Sequence, residues 1–162
     1  MGAERGRHGG AASAPLISDA GPDDGDGLRE LFREYSAALG EWGCFPGFEE
    51  ELAALPRGYD AVLVARWDGE LAGCVAVKRL PDGTCEMKRL YVRESARGTG
   101  TGRALAEASL AKARELGYTT MRLDTLPTME AARALYSSLG FLPTGRYNDN
   151  PVPGVLFFEL SL

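Results

Sequence analysis

The chain has 162 residues, 44% apolar and 25% charged, the size and composition of one globular domain that buries about 70% of its unfolded surface. A formal net charge of −5 argues against a general nucleic-acid binder, and no apolar run approaches the ~20 residues of a membrane-crossing helix. Cys44, Cys74 and Cys85 form no CxxC pair and His8 is the only histidine, which excludes a zinc framework and argues against a Ser–His–Asp triad.

The first segment, Met1 to Ala14, is rich in Gly, Ala and Arg. It lacks the apolar stretch of a secretory signal, and Gly6 breaks the myristoylation pattern, so a disordered tail on a cytoplasmic protein is expected. Residues 15–162 then read as one domain. Pro15 to Asp19 predicts a short strand, and the acidic Asp23, Asp24 and Asp26 suit a helix start. Leu28, Leu31, Phe32, Tyr35 and Leu39 recur on one face of a helix that Gly40 stops. Trp42 to Phe48 is a loop, and Phe48 to Leu55 is a second short helix. Ala61 to Trp67, Glu70 to Arg79 and Thr84 to Val92 predict a three-stranded meander, turned at Asp68-Gly69 and Pro81-Asp82-Gly83. On the third strand, strict alternation would set Glu86, Lys88, Leu90 and Val92 on one face.

Gly100 to Leu116 predicts a helix with Ala104, Leu105, Ala108 and Ala111 on its buried stripe and Leu110 outside it. Thr119 to Thr125 is a strand. Thr128 is placed to cap a helix whose apolar face is Ala131, Ala132, Leu135, Tyr136 and Leu139. Phe141 to Thr144 and Val155 to Leu160 close a mixed α/β sheet.

The stretch Arg97-Gly98-Thr99-Gly100-Thr101-Gly102-Arg103 joins a strand to a helix. Glycines let backbone amides approach a ligand, and the helix start adds unpaired N–H groups, so the loop suits phosphate or pyrophosphate. Arg97 and Arg103 can add charge-assisted bonds. No Gly-Lys-Ser/Thr follows, and Arg103 occupies the third glycine position of the dinucleotide fingerprint, so both of those phosphate loops are excluded.

Leu90-Tyr91-Val92, then Arg97-x-x-Gly100-x-Gly102 and a helix, resembles the coenzyme-A loop of the GNAT superfamily of N-acetyltransferases. Ala132-x-x-Leu135-Tyr136-x-x-x-Gly140-Phe141 resembles its second signature helix, and together the likeness spans about residues 60–160. The resemblance implies a mixed, mostly antiparallel sheet of six to seven strands flanked by about four helices, and acetyl-coenzyme A as acyl donor. It assigns the pyrophosphate to Arg97, Gly98, Thr99, Gly100, Thr101, Gly102 and Arg103, and the pantetheine arm to the Leu90, Tyr91 and Val92 strand. Met129 stands where the family often has Asn.

Acetyl transfer to an amine needs a base for the ammonium proton and a donor for the departing thiolate. By the same resemblance Tyr136 is the candidate acid and Glu86 the candidate base; a packed tyrosine and a Glu86–Lys88 ion pair are the structural alternatives. Cys74 and Cys85 read as buried thiols, not nucleophiles. Acceptor recognition is expected from Trp42 and Phe45 in one loop and Tyr147 and Asp149 in another. Glu49, Glu50 and Glu51 suit a cationic acceptor or, alternatively, a solvated helix face. The partners expected are a small-molecule or peptide amine, with no nucleic acid, membrane or metal, and the sequence leaves a homodimer open. Two rival readings remain: an acyl-coenzyme-A-binding sensor without turnover, and an interaction protein on the same fold.

Overall fold

Two apolar runs form strands β2 (Ala61–Trp67) and β3 (Glu70–Arg79), joined by a two-residue turn in which Asp68 and Gly69 both have positive φ. That turn conformation matches the right-handed twist of the strands it joins. The runs lack polar alternation because helices cover both faces of the sheet. The computed structural model describes residues 14–43 and 45–162, so the expected tail falls, Ala14 apart, outside the described residues, as does Cys44. Beside β2 and β3 lie β1 (Leu16–Asp19), β4 (Thr84–Val92), β5 (Thr120–Thr125), β6 (Leu142–Thr144) and β7 (Leu156–Ser161). The sheet order is β1-β2-β3-β4-β5-β7-β6, and every neighbouring pair is antiparallel except β4 and β5.

Helices α1 (Gly25–Ala38) and α2 (Phe48–Ala54) cover one face, burying Leu28, Leu31, Phe32 and Leu52 against Val62, Val64, Cys74 and Ala76. Helices α3 (Thr101–Glu115) and α4 (Glu130–Ser138) cover the other, over Leu63, Val75, Val77, Met87, Met121 and Leu123. This is the mixed α/β architecture with four helices that the sequence predicts.

Two local expectations are corrected. The buried stripe of α3 is Leu105, Ala106, Ser109, Leu110 and Ala113, with Ala111 exposed. In an alanine-rich helix several stripes look apolar, and packing of the two leucines on the sheet decides between them. Thr128 does not cap α4: the N-cap is Met129, which makes no side-chain capping bond.

Asp24 fastens the entry to α1. Its buried carboxylate accepts the Gly21 N–H at 2.7 Å and bonds the Arg66 guanidinium, which holds its pKa below the usual carboxylate value, aided by the Gly21 bond. A depressed folded-state pKa contributes stability above the unfolded value near 4 that is lost as pH falls through the folded one. Asp24→Asn is therefore expected to cost about 1.5–3 kcal/mol at pH 7 in urea denaturation, with the difference from the parent chain shrinking toward pH 2.

Candidate active site

Strands β4 and β5 lie side by side only where Thr84, Cys85 and Glu86 face Thr120, Met121 and Arg122. Past Glu86 they part: β4 runs on to Val92 paired only with β3, and β5 runs on to Thr125 paired only with β7. A wedge opens through the sheet, bordered by unpaired backbone groups of the far half of β4, Leu90 to Val92 among them. Such an edge hydrogen-bonds an extended ligand as it would another strand.

A bulge sets which side chains face this wedge. Ala76 pairs with Lys88 and Cys74 with Tyr91, so Val75 stands opposite both Arg89 and Leu90, and Arg89 takes φ +57°. The extra residue reverses the alternation. Leu90 and Val92 pack with Cys85 and Met87 toward α3, whereas Glu86 points to the opposite face. The expected common face of Glu86, Lys88, Leu90 and Val92 is thus corrected. Tyr91 packs toward α1.

Beyond β4 the chain makes one turn of 3-10 helix (Glu94–Ala96) and enters the glycine loop. Gly98 and Gly100 have φ of +74° and +85°, a region that disfavours side chains. The N–H groups of residues 98 to 103 find no acceptor among the described residues, the first intrahelical bond being Ala104 N–H to Gly100 O at 3.0 Å. Six open amides at the start of a fifteen-residue helix form an anion cradle. The Thr99 and Thr101 hydroxyls point elsewhere: they bond each other at 2.8 Å, and Thr101, 1% exposed, also accepts the Trp67 indole N–H at 2.9 Å. Both threonines therefore offer a ligand only their amides. Arg97 donates to Val92 O at 3.0 Å, and Arg103 pairs with Glu107 at 3.3 Å, so both guanidiniums flank the loop. A Cβ added to Gly102 would stand 3.7 Å from Val92 and 4.0 Å from Leu135, between β4 and α4. The loop and wedge fit a pyrophosphate followed by an extended amide-bearing arm.

Glu86 lies at the apex of the wedge, 4% exposed. Its Oε2 accepts the Tyr147 hydroxyl at 2.6 Å and the Asn148 amide at 3.3 Å, and Lys88 stands 3.5 Å from Oε1. The same Asn148 Nδ2 donates to Asp124 at 2.7 Å. Burial and the Glu86 charge push the Tyr147 phenol up, so it stays a donor. Tyr136 belongs to the α3–α4 face, 7% exposed and 5.9 Å edge-on to Phe141. Its hydroxyl makes no hydrogen bond among the described residues, and burial, with the nearby Tyr35 and Asp124, raises its pKa. The two candidate groups thus lie on opposite faces of the sheet, with the wedge between them.

Other expected site residues are dispersed. Trp42, 38% exposed, lines a pocket of about 440 Å³ with Leu39, Leu126, Met129, Val152 and Pro153. Phe45 instead stacks on the Arg89 guanidinium at 4.7 Å, and Asp149 is exposed. Of the three glutamates on α2, Glu49 and Glu50 are solvated, while Glu51 pairs with Arg89 at 3.0 Å and accepts the Tyr59 hydroxyl. Burial lifts the Cys74 and Cys85 thiols to about 12, which leaves neither a nucleophile at neutral pH. Asp124 and Asn148 were not singled out by sequence reasoning. The available signal for Asp124 was alternation, since Met121 and Leu123 point inward on either side of an outward Arg122. Among the described residues no helix is long and apolar enough to cross a membrane.

Residues 27–141 match the model of the Acetyltransferase (GNAT) family. An uncharacterised N-acetyltransferase of Schizosaccharomyces pombe is 40% identical over 147 residues, covering 87% of this chain and 90% of its own length. An IAA acetyltransferase of Azospirillum brasilense is 32% identical over 142 residues, covering 85% of this chain and 92% of its own. A solved structure of a Salmonella typhimurium protein with its cofactor acetyl-CoA superposes with a TM-score of 0.74 at 25% identity, over 92% of this chain and 94% of that one.

Proposed function

The chain belongs to the GNAT family of acetyltransferases, and from that premise we propose that residues 15–162 form one domain that acetylates a primary amine by direct transfer. The wedge between β4 and β5 is the observation that carries this reading. It opens onto both faces of the sheet, so donor and acceptor can meet without exchanging places. Acetyl-coenzyme A, the family's acyl donor, supplies an activated thioester when bound, and no covalent protein intermediate is needed. The buried, high-pKa thiols agree with that.

Each residue then has a role in holding or proton transfer. The amides of residues 98 to 103 hold the pyrophosphate, with Arg97 and Arg103 at the rim. Backbone groups of Leu90 and Val92 hold the pantetheine arm. Glu86 takes the proton of the acceptor ammonium, and Tyr147 and Asn148 fix its carboxylate. Tyr136 holds a proton at its hydroxyl for the departing sulfur. General acid–base groups of this kind contribute about 10²–10⁴-fold each at most, less when water can replace them.

The test begins with calorimetric titration of acetyl-coenzyme A into the full chain, followed by coenzyme A release over a panel of amines. Micromolar binding with turnover supports the transferase. Binding without turnover on any amine favours the sensor, and no binding at millimolar ligand overturns both. Glu86→Gln, isosteric and still able to accept from Tyr147, is expected to lower kcat about tenfold with the affinity for acetyl-coenzyme A unchanged. An unchanged kcat would remove Glu86 as the base.

A further inference from the structure

Asp124 is the carboxylate at the wedge that the acid–base reading leaves without a task. It lies on β5 beyond the pairing with β4, opposite Phe157 of β7, half-buried, and among the described residues its carboxylate accepts one hydrogen bond, from Asn148 at 2.7 Å. No cation pairs with it among the described residues. Asn148 joins it to Glu86, whose own cation, Lys88, stands 3.5 Å away. Two carboxylates and one ammonium leave the cluster one negative charge in excess. A half-buried charge without a partner is costly, and binding a cation removes that cost.

A second observation points to a ligand at the same place. The Tyr136 hydroxyl is unpartnered although its residue is 7% exposed, and it lies close enough to Asp124 to feel the carboxylate's charge. No buried side-chain oxygen among the described residues lacks a partner, so this unbonded hydroxyl reaches open space and is a free donor and acceptor for a ligand.

The surroundings indicate what the cation is attached to. Leu126 and Pro127 follow Asp124 by two and three residues and form one wall of the 440 Å³ pocket. Two residues of extended chain span about 7 Å, the reach of a short carbon arm with a ring. Val152 and Pro153 form a second wall. They are tied to the acidic cluster by successive side-chain bonds, Asn150 N–H to Asn148 Oδ1 at 3.1 Å and Val152 N–H to Asn150 Oδ1 at 3.0 Å. Ala38 and Leu39 at the end of α1, Trp42 in the 3-10 turn after it, and Thr128 and Met129 complete a lining with no charged side chain. A wall without charges next to an uncompensated carboxylate suits an ammonium borne on an apolar body.

We propose that Asp124, positioned by Asn148, binds the ammonium of the acceptor, and that the Trp42–Leu126–Val152 pocket takes its hydrocarbon body, so the acceptor is a small arylalkyl- or alkylamine. This rests on the transferase reading for the word acceptor, but the site itself is testable by binding alone. The probe is 2-phenylethylamine, titrated by calorimetry into the full chain saturated with coenzyme A. Saturable binding is expected, at least tenfold tighter than methylamine or the neutral 2-phenylethanol. Asp124→Asn, which keeps the bond from Asn148, is expected to weaken it at least tenfold with Tm unchanged.

Equal affinity of the parent chain and Asp124→Asn overturns the proposal, as does absence of binding, or methylamine binding as well as phenylethylamine. Tighter binding of the tripeptide Phe-Ala-Gly than of phenylethylamine overturns the small-molecule assignment. The two readings fail separately. Asp124-dependent binding without acetyl transfer leaves the site and removes the transferase, whereas acetylation of other amines with Asp124→Asn fully active does the reverse.

Discussion

Gly102→Val is expected to weaken acetyl-coenzyme A binding about 100-fold while leaving Tm unchanged or slightly raised. The two effects separate because Gly102 is helical and has no need of glycine for its backbone. It lies in the first turn of α3, outside the set of positive-φ glycines, and an added Cβ meets only Val92 and Leu135 at ordinary contact distance. Glycine inside a helix costs ~1 kcal/mol relative to alanine, so a side chain here does not harm the fold. That side chain nevertheless grows into the gap between β4 and α4, beside the open amides. Overfilling a well-formed site costs about 1–3 kcal/mol, and a 100-fold loss of affinity corresponds to about 2.7 kcal/mol. Gly100→Val is a poorer test, because φ of +85° there would strain any valine. Calorimetry and a thermal melt on Gly102→Val check both halves. An unchanged dissociation constant would take the ligand away from this helix start.

The strands were legible where turn chemistry is local. Asp68-Gly69 and Asp82-Gly83 all adopt positive φ, and β2, β3 and β4 begin and end at the residues those turns predict. The bulge was not legible. Met87-Lys88-Arg89-Leu90-Tyr91 contains no glycine to mark a left-handed residue, and the adjacent charges Lys88 and Arg89, where alternation breaks, do not say which of them turns; Arg89 does. What surrounds that conformation comes from elsewhere in the chain: Glu51 binds the Arg89 guanidinium at 3.0 and 3.2 Å, and Phe45 and Tyr35 lie against it. No local pattern reports such contacts, and the misplaced face of β4 follows from their absence in the sequence reading.

The same distinction runs through the site. The glycine loop was readable because its amides and φ angles belong to contiguous residues. The acidic cluster was not, because Asn148 meets Asp124 and Glu86 across 24 and 62 positions of sequence. The wedge is subtler still. A parallel pair three residues long cannot be inferred from two strands of nine and six residues, since nothing in either strand marks where their pairing stops while β5 goes on pairing β7 on its other edge.

Tyr136→Phe is expected to lower kcat about 100-fold with the affinity for acetyl-coenzyme A nearly unchanged and Tm unchanged or higher. The ring packs on Phe141 and contributes to the α3–α4 core, and phenylalanine keeps that packing. Only the hydroxyl is lost, and it bonds nothing in the protein. No buried side-chain oxygen among the described residues lacks a partner, so this hydroxyl reaches open space and its removal breaks no bond of the folded state. It is free to bond a ligand. Burial raises its pKa above the ordinary phenol value, and the sign of that shift matters. The protonated form then persists across the whole neutral and mildly alkaline range, as a proton donor requires, so no alkaline fall in rate below pH 10 should trace to this group. An equal loss in kcat and kcat/KM would mark an interaction made in the transition state. A rise in Tm with kcat intact would instead make Tyr136 a core residue whose hydroxyl the reaction does not use, and the proton for the departing thiolate would have to come from water.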